Sequence, residues 1–139
     1  MELNINSPSY FTKQYGVIDE IYSMCRGISK HVENKQYSDL VDIVGITPII
    51  APKDIIEQGL FKQEKCDIKY GFASVSLWID YDEYLKADIT DKQIMIVKNI
   101  LASIKTISRK AKIDYKQFCE DIFQYCKLIN LPIESNLKV

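Results

Sequence analysis

From Phe72 to Asp80 the side chains alternate without a break. Ala73, Val75, Leu77 and Ile79 share one face, and Phe72, Ser74, Ser76, Trp78 and Asp80 share the other. A period of two demands a strand, because successive Cβ atoms point to opposite sides of a sheet. The aliphatic face must be buried, so an apolar layer has to come from elsewhere in the chain. The residues from Leu60 onward read as the first arm of a β-hairpin whose second arm ends at Asp80, with the turn between Asp67 and Gly71.

That layer is written in helical spacing. From Val17, the residues Ile18, Ile21, Cys25, Ile28 and Val32 recur every three or four positions and form one apolar stripe. Asp19 and Glu20 suit the helix start, Lys30 and His31 its end, and Asn34 a stop. Thr90 and Gln93 form a capping box ahead of Ile94, Val97, Leu101, Ile104 and Ser108, a stripe widened by Ile100 and Ile107. Asp114 and Gln117 form a second box. Tyr115, Phe118, Cys119, Ile122, Tyr125, Cys126 and Ile129 follow it, and Pro132 closes that helix.

The remaining stretches are shorter. Met1, Leu3 and Ile5 alternate as in a strand, and residues 7–16 read as a loop. Ser38 is placed to cap a short helix over "DLVDIV", closed by Gly45. "ITPIIA" reads as a strand that Pro48 confines to an edge or an irregular pairing, since proline donates no ladder bond. Pro52 and Gly59 bracket one or two helical turns. The expected class is α+β. It is a small antiparallel sheet including a β-hairpin, with one helix before it and two C-terminal helices packed on it, in a single domain over residues 1–139.

A chain of 139 residues is long enough to bury about two-thirds of its unfolded surface without covalent staples. Its 18 basic and 19 acidic residues nearly cancel, which gives no overall pull toward nucleic acid or an anionic membrane. The N-terminal residues lack the basic start and apolar run of a signal peptide, and no stretch is apolar enough for a transmembrane helix. A cytoplasmic location is expected. Cys25, Cys66, Cys119 and Cys126 form no CxxC pair and read as reduced thiols.

Catalytic and metal chemistry find little to work with. His31 is the only histidine, so any Ser/His/Asp or Cys/His site depends on it, and its place beside Lys30 suits a solvated or capping role. The cysteines and the single histidine do not make a zinc set. "DYDEYLKADITD" lacks the glycine and closing glutamate of a calcium loop. The five glycines are isolated, so no phosphate cradle is expected. No catalytic residue, metal or cofactor is assigned.

Two charged features remain. Asp80, Asp82, Glu83, Asp88 and Asp91 crowd the stretch Ser76–Lys92. As a small acid–base enzyme, the chain would bring at least two of Asp80, Asp82, Glu83 and Asp88 together in a concave, partly dry pocket. As structure, Asp80 would cap a turn with Glu83 completing the box. Lys98, Lys105, Arg109 and Lys112 line one helix face, either as a nucleic-acid-binding regulator would present them or as a solvated face. Trp78, Tyr81 and Tyr84 lie among the acids, and aromatic anchors beside charge are what protein-binding surfaces use. A homodimer pairing the acidic and basic patches is a further arrangement.

In "QYGVIDEIYSMC", "KQYSDLVDIVGITPIIAP", "IEQGLFKQEK", "ASVSLWIDYDEYLKAD" and "KIDYKQFCEDI" the chain resembles small bacterial immunity proteins, those encoded beside polymorphic toxins. The likeness covers most of the chain. It implies a cytoplasmic protein that binds one cognate toxin domain, often a basic nuclease, and blocks its active site or a surface beside it. The chain is accordingly read as a non-enzymatic binding protein, and its near-zero net charge leads to no nucleic-acid or membrane partner being expected. No site residue carries over from the resemblance. The expected contact set, read from the residues, is Trp78, Asp80, Tyr81, Asp82, Glu83, Tyr84 and Asp88.

Overall fold

The structure is a computed structural model, and it describes residues 1–5, 21–57, 68 and 70–133. The elements run β1 (Glu2–Ile5), α1 (Tyr22–Val32), β2 (Ile43–Ile46), β3 (Ile49–Ala51), α2 (Lys53–Glu57), β4 (Phe72–Val75), β5 (Trp78–Asp80), α3 (Tyr81–Lys86), α4 (Ile89–Ala111) and α5 (Tyr115–Leu128).

Every strand pair among the described residues is parallel, which overturns the expected antiparallel sheet. β2 lies between β1 and β4, and β3 pairs with β5. The regular alternation after Gly71 is therefore the return leg of parallel crossovers. β1 reaches β2 through α1, and β3 reaches β4 through α2 and residues 58–71. Each connection has the dozen or more residues that a parallel return needs. The first arm of the expected hairpin, residues 60–67, lies outside the described residues. Its second arm is β4 and β5.

One register runs through both sheets. Ile43 faces Phe72, Ile46 faces Val75, and Ile49 faces Trp78, so the offset is unchanged across the break. The break contains Pro48. Thr47 N donates to Val75 O at 3.0 Å and Ile49 N donates to Leu77 O at 3.0 Å. Parallel donors toward one neighbour fall on alternate residues, so Pro48 occupies the position that owes that neighbour nothing. β1 ends at Ile5, opposite Ile46, so no carbonyl of β1 is left waiting for the N–H that Pro48 lacks. Pro48 is therefore tolerated inside a strand pair, and only local continuity is lost.

Leu3, Val44, Ile46, Ala73 and Val75 are buried on one sheet face. The opposite face is less covered, with Glu2 and Phe72 exposed and Ile43 and Ser74 half-buried. Helix α4 covers β4 and β5, with Ile96, Val97, Ile100, Leu101, Ile104 and Ile107 completely buried. α1 packs on β1 through Met24, Cys25, Ile28 and Val32. α5 packs on α1 and α4 and buries Phe118, Ile122 and Cys126.

The boundaries show what local chemistry does. Asp88, and not Thr90, caps α4, accepting from Asp91 N at 2.8 Å. Asp114 caps α5 as expected, accepting from Gln117 N at 3.2 Å. α5 ends with Asn130 at a φ of 57° and Leu131 N donating to Cys126 O at 2.8 Å, the left-handed stop that precedes Pro132. Ser38 does not start a helix over "DLVDIV". Its Oγ accepts from Leu40 N and Val41 N and donates to Ala111 O at 2.6 Å, closing a turn that releases the chain into β2.

Candidate functional site

β5 runs directly into α3, and the acidic stretch is built on that junction. Asp80 Oδ1 accepts from Asp82 N at 3.0 Å, which satisfies one of the donors left open at the start of α3. Ala87 closes α3, and Asp88 immediately caps α4. Two of the acids therefore hold two successive helix starts, and their spacing follows from that. Asp82 and Glu83, in the first turn of α3, point into solvent. A carboxylate there is favoured by the helix dipole and needs no other partner.

The aromatic residues divide differently from the expectation. Tyr84 is 0% exposed, fixed in the core beneath the turn, and the Lys92 ammonium stands 5.2 Å from its ring centroid. Tyr81 is half-buried against the same core. Trp78 is half-buried, and its Nε1 donates to Ala51 O at 2.8 Å, which locks the indole across the β3–β5 pair. Of the seven expected residues, Asp82 and Glu83 are exposed acids, Trp78 and Tyr81 are partly covered rings, Asp80 and Asp88 are caps, and Tyr84 is core.

Two surface residues were missed. Leu85 is 47% exposed and Ile89 is 49% exposed. They flank Asp88, and with Asp82 and Glu83 they make a mixed apolar and acidic surface over α3 and the first turn of α4. A helix opening at Tyr81 turns about 100° per residue. Tyr84 and Leu85 therefore point about 100° apart, and the docking of α3 on β3 and β5 buries the first and leaves the second in solvent.

Beside the turn, β5, α4 and the start of α3 flank an open groove of about 500 Å³ lined by Trp78, Asp80, Glu83, Met95, Lys98 and Asn99, among others. Asp80 and Glu83 share this groove, whereas Asp82 and Asp88 are not among its lining residues. Asp80 already uses Oδ1 as a cap and Glu83 is exposed, which is not the dry carboxylate pair that acid–base catalysis requires. Asn99 is 7% exposed. Its Nδ2 donates to Leu77 O at 3.2 Å, and its Oδ1 meets no donor among the described residues.

Lys98, Lys105, Arg109 and Lys112 are exposed on or just past α4, as their spacing predicted. Lys98 stands at the wall of the groove. His31 is half-buried in the last turn of α1, with its ring 5.5 Å from that of Tyr125 and its Nε2 buried without a hydrogen-bond partner among the described residues. Burial pushes the Cys25 and Cys126 thiols up to about 11 and raises Cys119 as well. These thiols stay protonated at neutral pH and are poor nucleophiles. All three are free, and Cys66 lies outside the described residues. Among the described residues, no group of three or more His, Cys, Asp or Glu side chains is placed to hold a metal ion. Nor is any helix there long and apolar enough to cross a membrane.

No curated protein and no solved structure matches the chain. The family model for immunity protein 44 matches residues 1–127. Immunity proteins neutralise toxins and are generally non-enzymatic. That match spans all the elements from β1 to nearly the end of α5, so the chain belongs to the immunity protein 44 family.

Proposed function

We propose that this immunity protein neutralises one cognate toxin domain by direct contact, and that the surface over α3 and the start of α4 makes that contact. The observation that carries the reading is the grouping of exposed Asp82 and Glu83 with exposed Leu85 and Ile89 on a doubly capped turn. Apolar area supplies desolvation and the carboxylates supply orientation, the division of labour found across protein interfaces. The turn is preorganised by the caps of Asp80 and Asp88 and by Tyr84 beneath it, so little ordering entropy is lost on binding. The chemistry favours a basic partner surface, as a nuclease domain presents.

The test is the double charge reversal Asp82→Lys and Glu83→Lys, measured against the purified cognate toxin domain. Association should slow by at least about tenfold at low salt, with a smaller effect at high salt. An unchanged association rate and an unchanged Kd would place the contact elsewhere.

A further inference from the structure

We infer that the groove between β5 and α4 is a receptor for a single arginine side chain of the toxin. The inference rests on the reading of the acidic turn as the toxin-facing surface and names the chemistry that surface captures.

Three independent features converge. The first is an acceptor without a donor. Asn99 is 7% exposed, its amide is oriented by the bond from Nδ2 to Leu77 O, and its Oδ1 is left unpaired in a buried position. An unmet buried acceptor is costly, and a donor brought by a partner removes the cost where side-chain rotation opens the oxygen to the groove. The second is charge. Glu83 lines the same groove, is exposed, and stands beside Asp80. The third is the indole of Trp78 in the groove wall, held in one orientation by its bond to Ala51 O. Indole is the best side-chain partner for a cation stacked on a ring.

A guanidinium fits this set better than an ammonium. Its planar fork carries several donors at fixed angles, so one head group can serve the Glu83 carboxylate and Asn99 Oδ1 while lying against the ring. A groove of about 500 Å³ is more than enough for one such side chain. Lys98 is the opposing feature. It lines the groove from α4, and its positive charge repels an incoming cation, so it weakens the site and selects for a ligand that the other contacts hold firmly.

Trp78 is the only tryptophan, so its indole N–H signal reports on the groove without ambiguity. N-acetylarginine amide is titrated into the wild-type protein at constant ionic strength, up to the order of 10 mM, and followed by nitrogen–proton correlation spectra. N-acetylcitrulline amide, the neutral isostere, is the control. The arginine compound should shift the Trp78 Nε1 and Asn99 Nδ2 signals, and the citrulline compound should not. Glu83→Gln, an exposed change that leaves folding intact, should weaken the response about fivefold. Lys98→Ala should strengthen it. No shift with arginine, an equal shift with citrulline, or indifference to Glu83→Gln would each overturn the assignment. The probe needs no toxin. A groove that fails here while Asp82→Lys with Glu83→Lys still slows toxin association leaves the acidic turn standing. An arginine response with no effect of that reversal on the toxin rejects the turn.

Discussion

The Tyr37 hydroxyl donates a 2.6 Å hydrogen bond to Asp121 Oδ2 across 84 residues of chain, with both groups buried. The other carboxylate oxygen accepts from Gln117 Nε2 at 3.1 Å and pairs with Lys35 Nζ at 3.2 Å. The segment leading into β2 is thereby tied to α5. Burial alone raises the Asp121 pKa, but the bonds from Tyr37, Lys35 and Gln117 and the Lys35 charge outweigh it, and the carboxyl lies below its ordinary 3.8. Burial first, and then the bond to Asp121, push the Tyr37 hydroxyl well above its ordinary value.

The sign of the pH effect follows. A carboxyl whose pKa is lower folded than unfolded adds stability that is present above its ordinary value of 3.8. That contribution is lost as pH falls through the folded value. Between neutral pH and strong acid, the wild type should lose more stability than Asp121→Asn, which starts lower but has no carboxyl there to protonate. Melting temperatures across that range check it. Tyr37→Phe should cost about 1–2 kcal/mol in urea unfolding at neutral pH.

Gly27→Ala tests a close approach inside α1. A Cβ built on Gly27 would stand 1.8 Å from Tyr125 Oη and 2.7 Å from Cζ. Helix propensity favours alanine by about 1 kcal/mol, but the ring must move, at a cost of about 1–3 kcal/mol. The steric effect wins, and the variant should be less stable. Tyr125→Phe in the same chain should recover only part of the loss, because Cζ remains too close. Chemical denaturation of the single and double variants measures both.

Ser103→Ala should be neutral or stabilising, by up to about 1 kcal/mol. Ser103 is 0% exposed and its Oγ has no hydrogen-bond partner among the described residues. Removing a buried, unpaired hydroxyl removes a desolvation cost and leaves only a small volume to fill. A clear loss of thermal stability would mean that the hydroxyl bonds a group of the native protein.

Asp88 separates capping from binding. Asp88→Ala removes the cap of α4 and should lower stability by about 1 kcal/mol. Asp88→Ser keeps a capping oxygen without the charge and should stay close to wild type. If the carboxylate also steers the toxin, Asp88→Ser slows association while the melting temperature holds. If it only caps, the association rate is unchanged.

Much of this was legible in the residues. The stripe from Val97 through Leu101 to Ile107, the cap at Asp114 and the alternation from Phe72 to Asp80 all mark elements that exist, because each follows from spacing along a few turns or one strand. The acidic turn was legible as a place, and its partition was not. Tyr84 and Leu85 are neighbours in sequence with opposite fates, and only the docking of α3 on β3 and β5 assigns which one is buried. Asn99 lies between buried Val97 and Ile100 on α4, and the sequence pattern alone assigns it no role. Its significance depends on the Leu77 carbonyl, brought to it from another element.

Strand direction lay furthest from reach. A period of two is the same in parallel and antiparallel pairs, so the alternation of Ala73, Val75, Leu77 and Ile79 states that a face is buried and says nothing about which neighbour runs alongside. Local spacing along the chain therefore settled the cores of the three longest helices, the cap at Asp114 and the existence of β4 and β5, while it put the cap of α4 at Thr90 in place of Asp88 and read a helix where β2 begins. The pairing of Ile43 with Phe72 and of Ile49 with Trp78, the tolerance of Pro48, and the groove that Trp78 shares with Asn99 came from contacts between residues far apart in sequence. Those contacts depend on where whole elements pack, and no short stretch encodes them.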